Sequence, residues 1–426
     1  MTISAWLSLL LAFPVLVLGE WLVAKVNWLS KYHIPAPVVG GLTISLLVYA
    51  FAQGGIPIEL ASNVQAPWWN WVVLPEPRWF TNPSLDVYRP FLVGFFACIG
   101  LNAPWRLLQK AGWQLPLFLV LAASVTILQN ALGAGIAVTL GQSPLLGLIC
   151  GSIAMTGGHG TALGFADVLS RAGFQGAAVV GTAAATFGLV SGGLIGGPLA
   201  GFLVRRFNLR SSEHVAHHEH EHGDEEDSSF LGLFRALYHR GRPALGHLLL
   251  LLATIKVGAW CSYFLEKTGL TIPVYIGSMV VGIFIRNLLE SAGKHVISSD
   301  TINQLGSICL GVFLTVAMMT LKLQELAGAA LPMMLILFAQ VAFILAFTRY
   351  ITFNSMGRDY DAAIMAAGHC GFGLGATPTA IANMKALVDR FGPAPRAFLV
   401  VPLVGAFFID FINTLVITIY LNVFTR

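Results

Sequence analysis

The sequence predicts an all-α integral membrane protein built from two inverted repeats of five transmembrane helices, each repeat carrying a re-entrant hairpin. Three observations carry that prediction. Only 10% of the 426 residues are charged and 56% are hydrophobic, whereas roughly a quarter of a soluble domain is charged. Apolar windows of about 20 residues recur along nearly the whole chain, the length a spanning helix needs and twice that of a barrel strand. Two glycine-rich stretches, residues 147–166 (GLICGSIAMTGGHGTALGFA) and 368–384 (GHCGFGLGATPTAIANM), interrupt this pattern at matching places in the two halves.

Taken in order, the spans are expected at 3–25, 34–53, 88–106, 114–140, 176–204, 243–265, 272–290, 302–321, 331–350 and 396–421. The first apolar run is long enough to span and has no basic stretch before it, so no cleavable signal peptide is expected. The glycine-rich stretches near 145–166 and 362–385 are read as hairpins that enter and leave on one side. With the N-terminus outside, seventeen of the 24 Lys and Arg residues then fall on the cytoplasmic side. Arg78, Arg89, Arg171, Lys267, Lys322 and Arg426 fall outside, and Lys256 lies within a span. One extra or missing span would scramble that sorting in half the chain.

The halves, 1–204 and 243–426, echo each other. Ile34-Pro35-Ala36-Pro37 opens the second span as Ile272-Pro273-Val274 opens the seventh, and Ala185-Thr186-Phe187-Gly188 is echoed by Gly405-Ala406-Phe407-Phe408. Five spans is an odd number, so the halves insert with opposite orientation. Inverted repeats of this kind place a solute site near mid-membrane, at discontinuous helices.

The interruptions are where chemistry is expected. Backbone freed at membrane depth is tolerated only inside protein or facing a watery cavity, where its amides and carbonyls become ligands. In the first, Thr156, Gly157, Gly158, His159, Gly160 and Thr161 are candidate substrate-binding residues, and in the second Gly373, Gly375, Ala376, Thr377 and Thr379. Half-helix N-termini there suit a carboxylate. Asp410, deep in the last span, is expected to face the interior and meet a sodium ion or a substrate ammonium. Asn413 and Thr414 share its helix face. Thr182, Thr186, Asn383, Asp410 and Asn413 are candidate sodium ligands, although the two threonine hydroxyls can equally bond their own helix backbone. Gln129 and Asn130 are left undecided between packing and binding. His159 and His369 have no carboxylate nearby in sequence and are read as hydrogen-bonded rather than proton-relaying.

Outside these stretches the readings are plainer. The polar linker 205–242 is expected to be cytoplasmic and disordered, with His214, His217, His218, His220 and His222 interleaved with acids that can gather a metal ion. Trp68, Trp69, Trp71 and Trp79 in the loop 54–87 belong at headgroup level. The five cysteines are spaced too widely for a CxxC site and read as packing residues. Glu20 and Lys256 lie close enough to span ends to snorkel. The net charge of +4 is modest and says nothing about nucleic acid, and no nucleic-acid partner is expected. An intramembrane enzyme using His159, His369 and Asp410 lacks a nucleophile or HExxH spacing.

Several segments resemble the bacterial sodium/glutamate symporter family: IPAPVVGGL at 34–42, FFACIGLN at 95–102, GGHGT at 157–161, ATFGLVSGGLIGGP at 185–198, YDAAIMAAGHCGFGLGATPTAIANM at 360–384 and VPLVGAFFIDFIN at 401–413. The resemblance implies sodium-coupled uptake of L-glutamate across the bacterial inner membrane, with Na+ as coupling ion and no cofactor. A carrier of another carboxylate, a dicarboxylate or 2-hydroxy acid, is the nearest alternative. A more distant similarity to sodium/citrate carriers implies a homodimer in the lipid bilayer working by an elevator-like shift. It also implies hairpin tips that approach each other near the substrate, at 157–161 and 371–379.

Overall fold

The computed structural model describes residues 2–31, 34–56, 58–76, 85–104, 112–211, 229–268, 273, 275–293, 297–321 and 330–424. The five linker histidines and Trp79 lie outside them. Helices occupy all ten expected stretches: α1 (Ala5–Lys25), α2 (Ala36–Gln53), α3 (Arg89–Leu101), α4 (Gln114–Thr139), then α5 (Pro144–Leu148), α6 (Gly158–Arg171), α7 (Ala177–Arg206), α8 (Arg242–Lys267), α9 (Tyr275–Ser291), α10 (Ser299–Met319), α11 (Ala330–Phe347), α12 (Tyr360–Leu374), α13 (Thr377–Phe391), α14 (Pro395–Leu403) and α15 (Ile409–Phe424). Among the described residues seven helices are long and apolar enough to cross a bilayer. The only strands described there are two short pairs, Thr2–Ile3 with Glu59–Leu60 and Asn63–Val64 with Leu85–Asp86.

Three differences from expectation have local causes. The last span is not one regular helix. Pro402 falls inside α14, and a π turn at Val404–Phe408 joins α14 to α15. The arms of the two interrupted stretches run on to Arg171 and Phe391, past the glycine-rich cores. Within the linker, Phe230–Arg240 is helical, because FLGLFRALYHR is amphipathic and Ser229 caps it through Gly232 N–H. Its first amide donates to Glu20 Oε1 at 2.5 Å, and Phe230 packs with Leu16, Ile308 and Val312.

The chain divides into two compact units. The first comprises 1–30, 34–104 and 223–324 and holds α1–α3 and α8–α10. Its helices are regular and packed closely through small residues. A Cβ on Gly19 would lie 2.1 Å from the Ala36 carbonyl oxygen, so only glycine lets α1 and α2 approach. Phe96 stacks on Tyr275 with centroids 3.9 Å apart. Lys256, midway along α8, is tied to the tryptophan loop. Its ammonium donates to the carbonyls of Trp71 (2.9 Å) and Leu74 (3.0 Å), pairs with Glu76 (3.1 Å) and lies over the Trp71 ring. That loop is itself ordered by the stacking of Trp68 on Trp6 and by Trp69 Nε1 donating to the Val87 carbonyl. Glu76 is partly exposed, and hydrogen bonds from backbone and from Lys256 hold its carboxyl below the ordinary range.

The second unit comprises 31–33, 105–222 and 325–426 and holds α4–α7 and α11–α15. Both interrupted stretches belong to it, although one comes from each half of the sequence.

Candidate functional site

The first interruption begins with a π turn at Ile149–Ile153, within which Gly151 leaves helical geometry (φ −90°, ψ −137°). The chain re-enters a helix at Gly158, whose φ of +62° favours glycine. Three side chains hold this break open. Asn130 Oδ1 accepts from Ser152 N–H at 2.9 Å, and Asn413 Nδ2 donates to the Ser152 carbonyl at 3.0 Å. Thr156 donates to Gln129 Oε1 at 2.7 Å.

The second interruption is two residues long. After Leu374 the backbone leaves the helix at Gly375 and Ala376, and both amides fold back to the Gly371 carbonyl. Here shape matters more than side chains. A Cβ at Gly375 would sit 2.7 Å from Leu189 Cα, and one at Gly188 would sit 2.1 Å from the Leu374 carbonyl oxygen. Asn383 donates to the Gly192 carbonyl at 2.9 Å, locking α13 to the same face of α7.

The two breaks meet. An ideal Cβ on Gly158 would fall 2.8 Å from the Gly375 carbonyl oxygen. Gln129 spans both, accepting from Thr156 and donating through Nε2 to the Gly373 carbonyl at 2.8 Å. Gln340 in turn donates to the Gln129 carbonyl at 2.7 Å. All of these amide side chains are buried. The N-termini of α6 and α13 both start at this junction, each with unpaired N–H groups and about half a positive charge. Among the described residues, Ser152 Oγ, Thr379 Oγ1 and Asn413 Oδ1 are buried oxygens with no hydrogen-bond partner. Such orphans are rare in native interiors and suit a hard cation or a polar solute.

The structure therefore gathers Thr156, Gly157, Gly158, His159, Gly160 and Thr161 with Gly373, Gly375, Ala376, Thr377 and Thr379. Thr377 is partly engaged, donating to the Gly405 carbonyl in the π turn before α15. His159 Nε2 lies 3.0 Å from Thr186 Oγ1. Thr182 and Thr186 donate to the carbonyls of Ala178 and Thr182, so their protons are spent within α7 and only lone pairs remain to offer. Asn413 stands at the first break through Ser152. Asp410 lies one turn earlier on α15 and is half-buried. Thr414 bonds the Asp410 carbonyl rather than its carboxylate, and no described Lys, Arg or His forms an ion pair with that carboxylate. His369 is a packing residue held by Thr352 at 2.9 Å and stacked on Phe372.

Sequence reading left Gln129 and Asn130 undecided and missed Ser152 and Gln340. The available signal was an uncharged amide alone in an otherwise apolar span, Gln340 in α11 above all, since buried polar groups in membrane helices require partners.

Interrupted helices whose free N-termini meet inside a helical membrane unit define the class of secondary transporters built on discontinuous helices. A family model described as sodium/glutamate symporter matches residues 1–69 and 79–393. A sodium/glutamate symporter of Escherichia coli (strain K12) is 40% identical over 425 residues, covering 97% of this chain and 96% of that protein. One from Haemophilus influenzae is 38% identical over 417 residues, covering 97% and 96%. The chain belongs to the sodium/glutamate symporter family, a family of transporters and not of enzymes.

Proposed function

We propose that this protein is a secondary active symporter that couples sodium entry to L-glutamate uptake across the bacterial inner membrane. Membership of the family and the apposed breaks support this reading. The observation that carries it is the meeting of Gly158 with Gly375, which points two helix N-termini at one place. Glutamate's two carboxylates would be met there by the amides of α6 and α13 and by the hydroxyls of Thr161 and Thr379, with Thr156 joining them on release from Gln129. Asp410 would take the substrate ammonium or a sodium ion. Sodium as cargo would be held by oxygens of the set Thr182, Thr186, Asn383, Asp410 and Asn413, with freed carbonyls at the breaks.

Coupling follows from charge. A carboxylate-bearing solute without its cation, or the reverse, leaves an uncompensated charge in a low-dielectric site, so the fully loaded carrier moves most easily. The finer architecture is part of the same proposal: ten spans, two re-entrant hairpins, inverted repeats at 1–204 and 243–426, a cytoplasmic linker at 205–242 and periplasmic termini. So is a homodimer in which the second unit, carrying both breaks, makes an elevator-like shift. Uptake of labelled glutamate into proteoliposomes under an imposed sodium gradient tests the reading. Accumulation driven equally by a proton gradient alone would overturn it.

A further inference from the structure

At one end of the second unit, where α7 and α13 stop, a cleft of about 760 Å³ is lined by Arg205, Arg210 and Arg390 together with Asn208, Ser211 and Gly392. Its floor is fixed. Ser211 donates to the Pro393 carbonyl at 2.6 Å, Tyr360 donates to the Gly392 carbonyl at 2.5 Å, and Leu209 N–H returns to the Val204 carbonyl. Two positive-φ residues, Asn208 (+50°) and Gly392 (+104°), turn the chain out of the two helices to make the walls.

The charge in this cleft is not matched within the described residues. Three other arginines do find carboxylates: Arg396 pairs with Asp359 and Asp361, Arg286 with Glu290 and Arg89 with Asp86. None of Arg205, Arg210 and Arg390 forms such a pair with a described residue. A simpler role, complementing the C-terminal dipoles of α7 and α13, falls short in magnitude. Two helix ends supply about one negative charge in total, against three guanidinium groups, with Arg206 adjacent.

Position selects the counter-charge. Beside the cleft, Phe202, Phe207 and Tyr350 expose large aromatic surfaces (49%, 46% and 65%). The Arg349 guanidinium lies 5.8, 5.2 and 5.2 Å from their ring centres. Exposed aromatics interleaved with arginine mark the boundary between hydrocarbon and headgroups. Guanidinium forks match phosphate oxygens in pairs, and basic pockets between membrane helices at that depth take acidic headgroups. We propose that the Arg205–Arg210–Arg390 cleft binds the phosphate of an anionic phospholipid.

Full-length protein purified in detergent is titrated with phosphatidylglycerol, with zwitterionic phosphatidylcholine and with inorganic phosphate, and bound lipid is counted by native mass spectrometry. The wild type is expected to bind phosphatidylglycerol saturably and in preference to phosphatidylcholine, with millimolar phosphate failing to displace it. Each guanidinium removed should raise half-saturation about fivefold, so R205Q/R210Q/R390Q should lose about a hundredfold. These side chains are exposed, and R205K/R210K/R390K, which keeps charge but not the fork, should fall between the two. Arg171→Gln, outside the cleft, should leave lipid binding unchanged. Equal phosphatidylglycerol binding by wild type and the triple glutamine variant would overturn the proposal. Full displacement by inorganic phosphate would overturn the lipid assignment in favour of a soluble phosphate ligand.

Discussion

The two interruptions occupy corresponding places in the two sequence halves, yet they are held open by different means. The first is clamped by side chains: Asn130 and Asn413 bond the backbone of Ser152, and Thr156 bonds the Gln129 side chain. The second is shaped by close approach, with Gly375 and Gly188 leaving no room for a side chain between it and α7. A hydrogen-bonded clamp can be released by exchanging partners, whereas a steric seat moves with the helix it rests on. The contrast suggests that the first break adapts to what is bound and the second supplies a fixed wall.

The largest expected effect tests the charge beside the clamped break. Asp410→Asn keeps the shape and removes the carboxylate, and sodium-driven uptake in proteoliposomes should fall by at least about a hundredfold with the thermal unfolding midpoint nearly unchanged. Wild-type uptake by that variant would remove Asp410 from the site. Next comes the residue common to both breaks. Gln129→Leu leaves the Gly373 carbonyl and the Thr156 hydroxyl only their long 3.5 Å contact with each other, which at about 1–3 kcal/mol for an unsatisfied group should lower both stability and uptake. Measuring the unfolding midpoint alongside uptake separates a lost scaffold from a lost site.

A matched pair then sets one break against the other. Asn130→Ala orphans only Ser152 N–H and should cost about 1–3 kcal/mol of stability, with substrate half-saturation rising. Gly375→Ala forces α13 and α7 apart for a similar overpacking penalty of about 1–3 kcal/mol, and should lower maximal uptake more than half-saturation. Identical kinetic signatures from the two variants would erase the distinction between clamp and wall. The smallest effect is expected at Thr182→Val. Its proton is already given to Ala178, so losing one lone pair should raise sodium half-saturation only about three- to tenfold, with glutamate half-saturation unmoved at saturating sodium. An unchanged sodium dependence would place Thr182 outside the ion's ligands.

Much of the site was legible because its signals are local. Glycines and Pro378 inside apolar segments announce broken helices, and Asp410 within Phe408-Ile409-Asp410-Phe411 announces a charge that needs company. Gln129 and Asn130 stand out in an apolar span but stay ambiguous there, because a buried amide reads the same whether it grips a solute, a neighbouring helix or a broken one. The hydroxyls of Thr182 and Thr186 carried that ambiguity too: both bond α7 carbonyls, which leaves their lone pairs to offer. The helix Phe230–Arg240 was hidden by the polar run before it, although its amphipathic spacing was present.

By itself the sequence determined that this chain enters a membrane as helices, where those helices lie, and that two of them must break. Those properties depend on composition and on periodicity over a few turns. Tertiary structure alone decided that one unit would draw a break from each half, that Gly158 would lie against Gly375, that Gln129 would bind both, and that Asn413 would reach Ser152 across 261 positions. Such pairings arise from close packing among many nearly equivalent helix faces, and nothing in the local pattern of a helix says which distant face it will meet.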